Sequence, residues 1–393
     1  MTQHSEPVRQ PSTTVRVTLR GPAELIDSLP YLLGYHPDDS IVLVGLHGSD
    51  GRFGGRLRAD IPAREGSAEE EWSGLARQLA DCLHGNSTAR GARPDGVLVF
   101  LCQDPAGGEG GRAVMERLRP LAQRLRTACG ALDMPVYEAL CVSGGRYWSY
   151  CCSGPSCCPA DGTPLGVPGT SVMAAAAAYA GVRVEGSLRE LAARLAPLGP
   201  PVAEPQELAL DRASTALVPR ILGDADRRTV RAETLALARR LLDRYRAAPL
   251  TDRRTERGRA DDRDDGLLSH EEAATVILGL QDRITRDWAA EWMEGTDAAP
   301  ALRLWRALAR RCVGAYAGHA AAPLSLAGWV AWSSGDEAGA RVALGRALDL
   351  DPEYVFARLL HDACNSGLDP EALRQCLRRQ RAERGSGAAA SHG

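Results

Sequence analysis

The segment SYCCSGPSCCPADG (Ser149–Gly162) sets Cys151, Cys152, Cys157 and Cys158 within a few residues of one another. Thiolates ligate zinc and carry out disulfide exchange. Structural zinc sites use four ligands, commonly in C-x2-C knuckles. This segment reads C-C-x4-C-C, and no later cysteine pair completes a ribbon. Neighbours on an extended chain point to opposite sides. At most two or three of these thiolates could therefore share an ion, with Cys102, Cys141 or His36 as a further ligand. A disulfide from Cys152 to Cys157 or Cys158 would close a small loop and act as a redox sensor only if exposed. The simplest account, and the favoured one, is reduced cysteines packed as small apolar residues.

GYHPDDS (Gly34–Ser40) is the second candidate. His36, Asp38, Asp39 and Ser40 offer an imidazole, two carboxylates and a hydroxyl, a set suited to acid–base work or metal binding. The simpler reading is a turn in which Pro37 fixes φ and an Asp bonds the backbone. A turn that enters a strand sits at its amino end, whereas open α/β sheets bind ligands at carboxyl ends. The carboxyl end of the next strand leads into CQDPAGGEGGRAV (Cys102–Val114). Gly108, Gly110 and Ala113 match G-x-G-x-x-A, but too far from the strand for a dinucleotide turn. A looser anion site at this helix start would use Arg112. In GRYWSY, Tyr147 and Trp148 beside Arg146 could stack a ring, or form a strand packed on both faces.

All 47 basic residues are Arg, with no Lys. That excludes a pyridoxal-phosphate Schiff base and the lysines of P-loops and kinases. The signatures H-E-x-x-H, G-x-S-x-G, C-x-x-C-H and the EF-hand loop do not occur. The sequence names no cofactor. A net charge of -3 argues against a general nucleic-acid binder. The amino terminus has no signal-peptide pattern and no apolar run is long enough to span a bilayer. The expectation is a cytoplasmic protein with mostly reduced cysteines, without a membrane or nucleic-acid partner.

The elements that must position these residues fall into two halves. Residues 1–13 are expected to be disordered. Residues 14–180 read as an α/β domain with a mixed, mostly parallel, three-layer sheet. Its strands are TVRVTL (14–19), SIVLVGL (40–46), RFGGRLRADIP (52–62), GVLVFLC (96–102), PVYEALCV (135–142) and RYWSY (146–150). Helices are expected from Gly21 to Gly34, restarting at Ser28 and Pro30, then over 69–83, 112–129 and 171–180. Residues 181–210 have linker composition. Residues 211–393 read as an all-α domain. It contains a mobile charged loop at 251–266, a helix from a Ser269/Glu272 capping box to Met293, and a disordered tail at 384–393. Trp288 with Trp292, and Trp329 with Trp332, fall at helical spacing and are expected in the core.

Three stretches together, RGPAELIDSLPYLLGYHPDDSIVLVGL, RLRADIP and YWSYCCSGPSCCPADGTPL, resemble an actinobacterial family, domain of unknown function 4192. The resemblance runs from about Thr14 to beyond Met293. The family has no assigned activity, so no mechanism is implied. In its pattern an apolar residue precedes the first cysteine. This implies that Cys152, Cys157 and Cys158 are the matching set and Cys151 an addition.

LSLAGWVAWSSGDEAGARVALGRALDLDP (324–352) resembles a tetratricopeptide repeat, with Gly328 and Ala331 on the first helix, Gly335 in the turn, Ala340, Leu344 and Ala347 on the second, and Pro352 at its end. Leu324 stands where the family has Trp, and Ala331 where it has Tyr. A single hairpin needs neighbours to bury its face. The resemblance implies a protein partner at the C-terminal helices. The leading expectation is a non-catalytic binding or interaction module. The alternatives are an enzyme or ligand-binding domain with one cleft joining His36 to the Cys segment, and a thiol redox or metal sensor. Substrate, partner identity and oligomeric state are not readable.

Overall fold

The structure, a computed structural model, describes residues 17–62, 68–89, 91–152, 158–167, 169–182, 184–223, 226–249 and 257–390. The chain divides into two units between Ser187 and Leu188.

The first unit holds helix α1 (Pro22–Leu33), strands β1 (Ser40–His47) and β2 (Arg52–Asp60), helix α2 (Ala68–Ala89), β3 (Gly96–Cys102), α3 (Gly111–Ala131), β4 (Val136–Ser143), β5 (Arg146–Ser149), β6 (Thr163–Pro164) and α4 (Val172–Tyr179). The strands form one sheet in the order β2-β1-β3-β4-β5-β6. β1 and β3 are continuous apolar runs, and every residue of β3 is buried. Such runs mark strands covered on both faces. Ile41, Leu43, Val97, Val99, Leu101, Ala139 and Cys141 pack with α2 and α3. The alternate residues Val42, Val44, Leu98, Phe100 and Leu140 are buried on the opposite face.

Among the described strands only β3 and β4 pair in parallel; the other four pairings are antiparallel. This corrects the expectation of a mostly parallel sheet. The α2 crossover does join two parallel strands, β2 and β3, but β1 lies between them and runs against both. Helix-linked strands were taken as neighbours, and this crossover spans one strand further.

Several boundaries also differ. Residues 14–16 lie outside the described residues, and Val17–Leu19 join no strand. α1 continues through Pro30 without a restart and ends where Gly34, at φ 87, donates its N–H to the Pro30 carbonyl.

The second unit is helical: α5 (Leu188–Ala193), α6 (Ala203–Leu222), α7 (Arg227–Ala247), α8 (Arg257–Asp265), α9 (His270–Gly279), α10 (Arg283–Ala289), α11 (Gly295–Arg310), a 3-10 turn (Gly314–Ala320), α12 (Ala321–Ser333), α13 (Glu337–Leu350), α14 (Val355–Asn365) and α15 (Glu371–Ala390). The expected linker 181–210 thus carries α5 and the start of α6. The expected tail is helical to Ala390. The Ser269/Glu272 capping box is present, but Asp282 caps a new helix by accepting the Thr285 N–H, so no single helix reaches Met293.

All of α12 is buried, as an all-round apolar helix requires. Trp329 donates its indole N–H to the Ala290 carbonyl at 2.8 Å, and Trp292 stacks on the buried Trp305 at 5.7 Å. α12 and α13 pack together as consecutive helices, with α11 and α14 beside them. Among the described residues no helix is long and apolar enough to cross a membrane.

Candidate functional site

Antiparallel pairing decides where the GYHPDDS turn sits. Because β1 opposes β3 and β4, its amino end is level with their carboxyl ends: Ser40 pairs with Cys102, and Cys102 with Val142. The turn that sequence direction put at the disfavoured end is therefore at the end where open α/β sheets bind ligands.

Asp39 adopts a left-handed φ of 42°, uncommon outside glycine but tolerated by Asp. Its Oδ1 accepts from Gln103 Nε2 at 3.1 Å, and Gln103 Oε1 accepts from Arg117 at 2.7 Å. Arg117 also pairs with Glu109 at 3.3 Å. Asp104 ties the loop before α3 to the β4–β5 turn by accepting the Gly144 N–H at 2.9 Å. Carboxylate, amide and guanidinium thus alternate along one end of the sheet.

The buried Ser40 hydroxyl donates to the Asp38 carbonyl and accepts from Arg58 Nε at 2.9 Å, with Asp60 paired to Arg58. A carbonyl and a guanidinium cannot take a proton from it, so Ser40 is a structural hydroxyl. His36 is exposed, and its backbone N–H donates to Gly186 at 2.8 Å in a short bridge with Ser187. Arg112 is exposed on the first turn of α3. Cys102 is buried at this end. Burial first, then Cys141, Asp38 and Asp104, push its thiol far up, so it stays protonated at neutral pH. The arrangement presents polar groups at this end of the sheet, and neither Ser40 nor Cys102 is an activated nucleophile.

The Cys segment leaves β5 toward the opposite end. Tyr150 N–H reaches the Ala139 carbonyl at 2.8 Å. Ser149 Oγ accepts from the N–H groups of Cys151 and Cys152, both at 3.1 Å, and donates to Glu138 at 2.7 Å. Cys151 is therefore near the level of Glu138, roughly 13 Å of strand rise from Val142. Cys151 and Cys152 do not share a cleft with the GYHPDDS turn, correcting that expectation. Cys152 is disulfide-bonded. Cys157 lies outside the described residues, and Cys158 is half-buried. Burial first, then Glu138, raise the pKa of Cys151.

Tyr147 and Trp148 do not make a stacking platform. They pair with Val142 and Cys141 and so face opposite sides of the sheet. Trp148 is buried, donates Nε1–H to the Ala160 carbonyl at 3.1 Å, and lies so close to Gly162 that a Cβ there would stand 2.5 Å from its ring.

The densest charged cluster was not foreseen. α8 sits within the stretch expected to be a mobile loop, of which 251–256 lie outside the described residues. Its Asp261, Asp264 and Asp265 are nearly sealed from solvent. Asp261 takes a two-point bond from Arg194 at 2.8 and 3.0 Å. Asp264 pairs with Arg303, and Asp265 with Arg310 at 2.8 Å. Arg311 donates to the Asp265 and Leu268 carbonyls at 2.6 and 3.0 Å. The signal was in the spacing. Asp261, Asp264 and Asp265 fall at i, i+3, i+4, and Arg303, Arg306 and Arg310 at i, i+3, i+7, which are two helical stripes of opposite charge.

Among the described residues no group of three or more His, Cys, Asp or Glu could hold a metal ion. A family model described as a domain of unknown function (DUF4192) matches residues 22–371. No curated protein and no solved structure matches the chain.

Proposed function

Because the chain belongs to the DUF4192 family, which names no reaction, we propose from the geometry that it works as a non-catalytic protein-interaction module. Its partner docks on the outer face of α14. One observation carries this reading: Val355 and Leu359, one turn apart, are 55% and 63% exposed, with Leu368 just beyond at 58%. The other face of the same helix buries Ala357, Leu360 and Cys364 in the core. Contiguous exposed apolar side chains mark interaction sites, and residues at i and i+4 suit an amphipathic partner helix. The packed α12 and α13 and the helices beside them support reading this end of the unit as a tetratricopeptide-like stack, where α14 offers its next face.

Deleting the chain from Pro323 onward would remove the buried α12 and with it much of the core. The sharper test is a photo-crosslinking residue at Leu359 in the native host. A discrete adduct that disappears when Val355→Asp is added, with none from the same residue at Arg283, is expected. Equal labelling from both positions rejects the reading.

A second reading rests on the placement of the GYHPDDS turn. Asp39, Gln103, Arg117 and Glu109 at the carboxyl ends of β3 and β4 suit a small polar ligand, with His36, Asp38 and Arg112 around them. A thermal-shift screen of small polar compounds tests it. A hit that survives both Gln103→Leu and Arg117→Met sinks it.

A further inference from the structure

We propose that the partner on the outer face of α14 is a second copy of this chain, paired α14 to α14 in antiparallel fashion about a two-fold axis. The inference rests on the reading of α14 as a docking face and adds what occupies it. Val355 and Leu359 form the exposed apolar stripe. Arg358 and Asp362 are exposed beside it. Around the helix, Arg358 and Asp362 fall about 60° and about 20° to one side of Val355, and Leu359 about 40° to the other. The two opposite charges therefore lie on the same side of the stripe, one turn apart.

A two-fold axis that crosses both helices at right angles, in the plane between them, reverses chain direction but keeps each side of the stripe on its own side. Arg358 of one copy then lies level with Asp362 of the second copy, and Asp362 with Arg358 of the second copy. One contact surface thus forms two ion pairs with itself, the self-complementarity that an isologous interface requires. A parallel pairing would instead face both charges with the side that carries Phe356 and Ala363, which are partly buried and uncharged. Leu359 is one residue from the midpoint of the two charges. It meets Leu359 of the second copy at an offset of about 3 Å along the helix. Within its own chain Arg358 pairs with Glu353 at 3.3 Å, on the surface, and such a contact is weak enough to be exchanged. α14 has 11 residues, about 16 Å of helix, so the interface is small and the dimer weak.

The test is sedimentation equilibrium of the full chain at low salt, at concentrations up to about 500 µM. A reversible monomer–dimer equilibrium is expected. Arg358→Asp and Asp362→Arg each set like charges against one another twice across the axis, and each should weaken association about tenfold. An equimolar mixture of the two variants should restore it, because an acidic stripe then meets a basic one at both positions. Both side chains are exposed, so neither change disturbs the core. A wild-type chain that stays monomeric overturns the proposal, as does association unchanged in either variant or not restored in the mixture. Crosslinking from Leu359 separates this failure from failure of the underlying reading. If the chain is monomeric, a discrete adduct with a different polypeptide rejects the second copy and keeps α14 as the docking face, whereas no discrete adduct rejects both.

Discussion

Gly328 of α12 and Leu344 of α13 meet with no space for a side chain between them. A Cβ on Gly328 would stand 2.6 Å from Leu344 Cγ and 3.3 Å from the Ala340 carbonyl oxygen. Both neighbours are buried, so little can yield. Gly328→Ala should cost about 1–3 kcal/mol by overpacking, despite alanine's better helix propensity. Leu344→Ala alone should cost about 2–5 kcal/mol. The double variant should lose less than the sum, because the smaller residue makes room for the methyl. Urea denaturation of the four chains measures this, and strict additivity would show that the two residues do not compete for one space.

The Arg310–Asp265 pair is the next test. Arg310→Met leaves a buried carboxylate without its ion partner and should cost about 3–5 kcal/mol at pH 7. The Asp265 pKa is already raised, by burial first and against Arg310. A carboxyl whose folded pKa lies above its unfolded value contributes stability below the unfolded pKa and loses it as pH rises through the folded one. Removing Arg310 raises that pKa further. The penalty should therefore shrink at pH 5, where Asp265 can take up a proton. Denaturation at pH 5 and pH 7 decides, and an equal cost at both rejects the account.

These two tests fall on opposite sides of what the sequence made legible. Small residues at helical spacing announced the close packing of α12 and α13, and continuous apolar runs announced β1 and β3, because burial writes itself into side-chain type. Gln103 and Arg117 carried no such mark. They join Asp39 only because β1 inserts between β2 and β3, and a one-dimensional reading of strand, helix and strand does not show which strands become neighbours. α8 was hidden differently. With Ala260 as its one apolar residue it has no hydrophobic period, and its aspartates are buried against arginines at least 39 residues away in the chain, the nearest pair being Arg303 and Asp264. Reading charges with the helical period used for apolar residues would have exposed it.

The capping box offers a milder perturbation. Ser269 Oγ accepts the Glu272 N–H at 3.2 Å, and Glu272 returns a bond to the Ser269 N–H at 3.1 Å. Ser269→Ala should cost about 1 kcal/mol. The Arg244 guanidinium, first among several partners, holds the Glu272 carboxyl below its ordinary pKa. Its contribution is present above the unfolded glutamate pKa and is lost as pH falls through the folded one. The pair is partly exposed, so solvent screening keeps this part small. Glu272→Gln should flatten the acid limb of the stability profile, and an unchanged limb would assign that limb to other carboxylates.

Thiol chemistry provides a test that needs no substitution. Cys82 is exposed, whereas Cys102, Cys129, Cys141 and Cys312 are buried. Burial pushes Cys129 and Cys141 up to about 11, and Cys102 and Cys312 higher still. The thiolate is the reactive form, so maleimide at pH 8 should modify Cys82 well before these four. Mass spectrometry of brief labelling in the folded state, site by site, reads the order. The four should become reactive in two groups as denaturant rises, Cys102, Cys129 and Cys141 with the first unit and Cys312 with the second. The same shifts fix a pH sign. Thiols whose folded pKa lies above the unfolded value contribute stability below about pH 9, and this is lost as pH climbs toward 11. Alkaline destabilisation of the first unit should therefore track deprotonation of Cys129 and Cys141. Labelling of Cys102 ahead of Cys82 would contradict the sheet, because Cys102 ends the buried β3.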